Sequence, residues 1–316
     1  GKQVQMTNLR YTQLKNRGLM HITGADATEF LQGMISNDID LVTPEKSVYA
    51  ALLTPQGKFL FDFFVLRDRA GTGYLMDCDL ERLPTLQKRL SMYKLRADVT
   101  LEDASPEVAI FGCFGDRQMD IAGLDSQTVG ASASFGDGLA SVDPRLAEMG
   151  LRIILPIEGA VQVLETAGLT AAGPDAWETH RLSLGVPEAG HDVLIEKSMP
   201  LECNFDELGA ISYTKGCYVG QELTARTHHR GTLRKRLLPV RVNGDMPVSG
   251  TPIMYNDREV GVMRSGQGEN GIALIRLQYL SSTDAAVQPD DIFEIDGTTI
   301  QPWIPEWVEI KPLDQE

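Results

Sequence analysis

Residues 211–231, ISYTKGCYVGQELTARTHHRG, hold one cysteine, three glycines and a burst of positive charge inside a chain whose net charge is −15. A thiol acts as a nucleophile or metal ligand through its thiolate form. Two neighbours of Cys217 would favour that form. Lys215 supplies a cation two residues away, and QELTAR reads as a short helix whose unpaired N–H groups carry positive partial charge. Gly216 and Gly220 would let backbone approach a ligand or another chain closely. The residues alone leave two readings open. One is an exposed, activated thiol, and the other is a buried, inert cysteine.

Other chemistry in the stretch is weaker. A cysteine hydrolase needs a base within hydrogen-bond reach, and nothing in the sequence fixes the geometry of His228 or His229. Adjacent histidines also point in different directions on regular structure, which makes a metal pair a poor reading. His180 and His191 read as polar or capping residues. The remaining cysteines, Cys78, Cys113 and Cys203, form no CxxC pair. Their spacing suggests neither a metal site nor a disulfide framework, and a reducing compartment fits best.

Charge is unevenly placed. Residues 215–241 contain Lys215, Arg226, Arg230, Arg234, Lys235, Arg236 and Arg241 against the single acid Glu222, a local +6 that leaves −21 elsewhere. Such a segment could focus an anionic small ligand or simply be a solvated face. The overall acidity argues against general affinity for nucleic acid or membrane. Asp62 stands inside the apolar run FLFDFFV, where a carboxylate must find water, a partner or a pocket. Asn37 and Asp38 follow a helical pattern and could be turn formers or ligand contacts.

The elements that must position these groups are legible as patterns. ITGADATEFLQGM reads as strand, turn and helix, with Asp26 as N-cap and Phe30, Leu31 and Met34 on one face. Two apolar strands flank Pro55-Gln56-Gly57, a hairpin signal. LERLPTLQKRLSMYKL is amphipathic, with Leu83, Leu86, Leu90 and Tyr93 at helical spacing. Strands are expected at 108–112, in GLASVDPRL and in GLRIILP, with a helix in GAVQVLETAGL. A further helix should begin near Pro174 and end at Gly185. ISYT reads as strand. After Gly231, short strands separated by turns predict a small antiparallel barrel of roughly 80 residues. A chain of 316 residues is long for one core, so two or three domains are expected.

The segment KGCYVGQE, 215–222, resembles the K-G-C-[FY]-x-G-Q-E signature of the YgfZ folate-binding family, which is related to the aminomethyltransferase (T-protein) of the glycine cleavage system. ITGADATEFLQGMISNDI, ALLTPQGKFLFDFFV and RLSLGVPEAGHD are similar to further segments of that family. GQELTARTHHRGTLRKRL is similar to its iron–sulfur cluster assembly branch, so the resemblance covers nearly the whole chain. It implies an α+β, three-part GcvT/YgfZ-like architecture of ferredoxin-like α+β domains and a C-terminal antiparallel β-barrel. The implied domains are a folate-binding domain over 1–104 continued by 178–232, a ferredoxin-like subdomain over 105–177, and the barrel over 233–316.

Functionally, the resemblance implies tetrahydrofolate, or a one-carbon derivative, as cofactor. It implies iron–sulfur assembly proteins and [4Fe–4S] client enzymes as partners. Cys217 becomes the functional thiol, and Lys215, Gly216, Tyr218, Gly220, Gln221 and Glu222 shape its loop. Asn37, Asp38, Asp62 and Arg226 become candidate folate contacts, with Arg226 suited to a glutamate carboxylate. No resident metal site and no turnover activity are implied. The alternative is a folate-dependent aminomethyl or one-carbon transferase. Against it, Phe61-Asp62 replaces the paired aspartates usual in T-proteins, and Ser183 replaces their glutamate. The acidic pI near 4.8 and the lack of an Arg-rich presequence favour a bacterial cytoplasm over a mitochondrial matrix.

Overall fold

The computed structural model describes residues 9–115 and 121–311. Its chain divides into two compact units. The first comprises Gly1–Leu52, Phe61–Trp177 and Leu208–Tyr218, and the second comprises Leu53–Leu60, Glu178–Glu207 and Val219–Glu316.

A five-stranded sheet runs in the order Val48–Leu53, Phe59–Arg67, Tyr74–Asp79, Arg17–Thr23, Thr100–Asp103. Val48–Leu53 is buried along its whole length, which explains its unbroken apolar run. Two helices follow from the patterns noted above: α1 spans Ala27–Met34 and α2 spans Leu83–Lys94. α2 buries Leu83, Leu86 and Leu90, but Tyr93 at the end of that stripe faces outward. Asp26 stands at the N-cap of α1 without capping it; its carboxylate accepts the Asp98 N–H at 2.7 Å instead.

A second sheet of the first unit has six strands, in the order Thr170–Ala171, Arg10–Gln13, Val108–Phe114, Leu151–Pro156, Gly138–Val142, Ser132–Phe135. Its pairings are antiparallel apart from the parallel Arg10↔Thr170 contact. Its core gathers Tyr11, Phe111, Ile153, Leu155 and Leu164. Helix α3, Ala160–Thr166, supplies Leu164, and α4 occupies Pro174–Leu184, ending at Gly185 as its φ of +76° allows.

In the second unit, helix α5 runs Gln221–Arg230 and six antiparallel strands close into a barrel. The barrel order is Lys235–Asn243, Asn270–Arg276, Arg258–Gln267, Pro252–Tyr255, Phe293–Ile295, Thr298–Pro302, and the last strand returns to the first. Closure removes every sheet edge. Leu238, Val240, Ile253, Ile275 and Ile300 fill the interior. The antiparallel barrel expected after Gly231 is therefore present.

Candidate functional site

The loop that carries Cys217 is fastened to the first unit by polar groups on α1 and the residues just after it. Ser36 is fully buried; its Oγ donates to the Ala210 carbonyl at 2.7 Å and accepts the Ala51 N–H at 2.8 Å. The Ser212 N–H donates to the Ser36 carbonyl, and Ser212 Oγ then accepts the N–H groups of Thr214 and Lys215. These contacts hold residues 211–214 as irregular chain with a bend rather than the strand expected from ISYT. Asn37 completes the fastening, with Nδ2 donating to the Tyr49 and Gly209 carbonyls at 2.9 Å each.

Lys215 is the strongest tie. Its Nζ donates to the carbonyls of Gln32, Ile35 and Asn37, each at 2.7 Å. These lie in and just beyond the last turn of α1, where carbonyls lack intrahelical partners and the dipole favours a cation. All three ammonium hydrogens are thereby used. The same Nζ lies 5.0 Å from the centroid of the Tyr218 ring. Burial pushes the Lys215 ammonium down to about 8, against the pull of the Asp38 and Asp40 carboxylates. Burial likewise pushes the Tyr218 phenol up to about 12.

Between these two anchored side chains, Cys217 is exposed, whereas Cys78, Cys113 and Cys203 are buried. Burial pushes the thiols of Cys78 and Cys203 up to about 12, and that of Cys113 upward as well. The four cysteines thus divide into three held as thiols and one presented to solvent. The structure resolves the two readings of Cys217 in favour of exposure. The Lys215 ammonium is held at the end of α1, two residues before that thiol in the sequence. Among the described residues, no three His, Cys, Asp or Glu side chains group closely enough to hold a metal ion.

Asp62 projects from strand Phe59–Arg67 and is half-buried. It accepts a 2.5 Å hydrogen bond from the Tyr49 hydroxyl. Burial and the Asp62 charge raise the Tyr49 phenol well above its ordinary value, so it stays a donor. The backbone carbonyl of Tyr49 is held by Asn37, so Asp62, Tyr49, Asn37 and Gly209 form one bonded series leading into the Cys217 loop. Asn37 uses both amide hydrogens on backbone and its Oδ1 on the Asp38 N–H. Asp38 accepts from Gln32 Nε2 and from the Asp40 N–H, as a turn former does.

Sequence reasoning missed the surroundings of Asp62. Arg17, Asp77, Arg152, Asp143 and Arg145 form a charged group around the Phe64 ring. Asp77 bridges Arg17 at 2.8 Å and Arg152 at 2.7 Å, and Arg145 pairs with Asp143 at 2.8 Å. The three guanidinium carbons lie 5.7, 3.8 and 4.9 Å from the Phe64 centroid for Arg17, Arg152 and Arg145. Burial alone would raise the carboxyls of Asp77 and Asp143, but the adjacent guanidiniums hold both below the usual carboxylate range. The available signal was Arg152 inside the otherwise apolar strand pattern LRIILP.

In the second unit, Gly220 begins α5 with φ +81°. A Cβ there would stand 2.5 Å from the Thr54 carbonyl and 2.8 Å from Leu53 Cβ. A Cβ on Gly57 (φ +84°) would stand 2.9 Å from Leu223 Cβ. The hairpin tip and the start of α5 thus meet glycine to glycine. Gly216 has open space where its Cβ would be, so the close approach expected of both signature glycines is realised at Gly220. Gln221 and Glu222 form the first turn of α5, and Glu222 pairs with Arg226 at 2.7 Å across one helical turn. That pair is solvent-exposed.

The +6 segment is not a single open basic surface. Lys215 serves α1, Arg226 pairs with Glu222, and buried Arg236 is held by Asn204 and Glu207. Ser183 is exposed on α4, where its Oγ donates to the His180 carbonyl.

The fold defines the class first. It resembles the crystal structure of the glycine cleavage system aminomethyltransferase T from Bartonella henselae, with a TM-score of 0.76 over 95% of this chain and 86% of that one, at 16% identity. Residues 234–310 match the CAF17 C-terminal β-barrel domain. The mouse mitochondrial iron–sulfur cluster assembly factor IBA57 is 35% identical over 289 residues, 85% of this chain and 78% of its own length. The human protein is 35% identical over 83% of this chain and 76% of its own length. The chain therefore belongs to the IBA57 family of iron–sulfur cluster assembly factors. These relatives are named as mitochondrial, which overturns the expectation of a bacterial cytoplasmic protein. Overall acidity was a poor guide to compartment.

Proposed function

We propose that this protein is a tetrahydrofolate-binding accessory factor for the assembly or maintenance of iron–sulfur proteins, chiefly of the [4Fe–4S] type, with Cys217 as its functional thiol. One observation carries the reading. Of four cysteines, the one inside the signature is the one exposed, on a loop fastened at Ser36, Asn37 and Lys215. A fastened loop presents a thiol without a large ordering cost on each encounter. A single thiolate supplies one cluster ligand or one partner for thiol exchange, so assembly proteins or client enzymes complete the chemistry.

The folate half of the proposal rests on Asp62. A half-buried carboxylate already accepting from Tyr49 retains acceptor capacity for the N–H edge of a pterin. Phe61, where T-proteins carry a further carboxylate, is buried with Arg82 stacked 4.0 Å from its ring centroid. One carboxylate suits binding better than proton transfer to a folate nitrogen, so transferase turnover is not part of the proposal.

Titration calorimetry of the purified protein with tetrahydrofolate tests this half. We expect one saturable site, weakened about tenfold or more by Asp62→Asn, which removes a charge-assisted bond of roughly 1.5–3 kcal/mol. No heat of binding to the wild type would remove folate from the proposal and leave the thiol. Unchanged affinity in the variant would remove Asp62 from the site.

A further inference from the structure

The end of α2 carries features that neither packing nor turn chemistry explains. Met92 is 67% exposed, Tyr93 41% and Leu95 84%. The helix already buries Leu83, Leu86 and Leu90, so these three are surplus to the core. Leu95 closes the helix with φ 49° and ψ −112°, and the Ala97 N–H donates to the Lys94 carbonyl at 2.8 Å. That is the first central position of a type II′ turn, which glycine adopts without steric cost and leucine does not. The chain therefore places a large apolar side chain, facing water, on backbone that disfavours any side chain. Strained backbone of this kind concentrates at functional positions.

Charge supplies the second observation. Residues 82–97 contain Arg82, Lys88, Arg89, Lys94 and Arg96 and no acid. This +5 stretch belongs to a chain of net −15, so the remainder is −20. Arg82 lies over Phe61 and Lys94 donates to the Val99 carbonyl, while Lys88 and Arg96 are exposed and Arg89 half-exposed. Methionine, an aromatic residue and arginine are the types enriched where proteins meet, and a local sign opposite to the rest of the chain selects and steers a partner.

We propose that Met92, Tyr93 and Leu95, with Lys88, Arg89 and Arg96 beside them, form a docking surface for a second protein whose contact face is acidic around an apolar recess. An anionic membrane fits less well. Three apolar side chains bury too little for stable anchoring, and a −20 remainder is repelled by such a surface.

The test places a photo-crosslinking benzoylphenylalanine at Tyr93 of the full chain in its own cells, with a control at exposed Val161 of α3. The expected result is an adduct with one other protein, absent from the control and lost when Lys88, Arg89 and Arg96 are changed to glutamate. That protein, purified, should bind the wild-type chain in a salt-sensitive manner and bind Leu95→Gly at least tenfold more weakly. Leu95→Gly itself should melt at or above the wild-type temperature, because glycine relieves the turn. That separates lost docking from lost folding. No adduct beyond the control, an adduct of the chain with itself, a lipid adduct alone, or binding indifferent to charge reversal and to Leu95→Gly would each overturn the proposal.

Discussion

Asp77→Ala should destabilise the first unit by about 3–5 kcal/mol, the usual cost of leaving buried charge without its partner. Asp77 is 1% exposed, and its carboxylate sits between two guanidiniums, Arg17 from its own sheet and Arg152 from the six-stranded sheet. Removing it leaves both cations facing Phe64 and each other without the carboxylate that pairs them, with only the more distant Asp62 and Asp143 charges in compensation. The effect should appear as a lower urea midpoint and as faster hydrogen exchange in strand Tyr74–Asp79. Acid should reproduce it in part. Asp77 and Asp143 both titrate below the usual carboxylate range in the folded state. Their stabilisation is therefore complete above the unfolded carboxyl value, near 4, and is lost as pH falls through the folded values. The wild type should lose more stability than Asp77→Ala between pH 5 and pH 3. Equal losses would mean that Asp77 contributes nothing to the acid transition.

Gly220→Ala should cost roughly 2–5 kcal/mol, combining a non-glycine residue at positive φ with an overpacked contact. The added methyl would meet the Thr54 carbonyl and Leu53 Cβ, so the hairpin tip must retreat or α5 must start later. Gly216→Ala, four residues earlier in the same signature, should shift stability by less than about 0.5 kcal/mol, because its Cβ enters open space. Thermal melts of the two variants side by side test the distinction. Similar losses would show that the signature glycines share a role other than the close approach seen at Gly220.

These two sites also show what the sequence could and could not disclose. Local patterns were legible: the periods of α1 and α2, the Pro174 and Gly185 boundaries of α4, the Pro55-Gln56-Gly57 turn and the barrel strands each rest on neighbouring residues. Exposure of Cys217 was one of two open readings, because nothing local decides burial. Groups paired across long separations were not legible. Lys215 binds carbonyls about 180 residues upstream, a pairing that no local pattern encodes. Asp77 and Arg152 stand 75 residues apart on different sheets. Strand Arg10–Gln13 pairs with Val108–Phe114, a pairing no periodicity encodes. Tyr93 fitted the apolar stripe of α2 by spacing, yet in the last turn of the helix its side chain is 41% exposed.

The central claim is that the signature loop exists to present a thiol for iron–sulfur chemistry. The most direct measurement is [4Fe–4S]-enzyme activity in cells lacking this protein, rescued by the wild type or by Cys217→Ser at equal abundance. Serine keeps the size and exposure of the side chain but cannot form a thiolate. The account predicts that the wild type restores activity and that Cys217→Ser does not. Full rescue by the serine variant would contradict it.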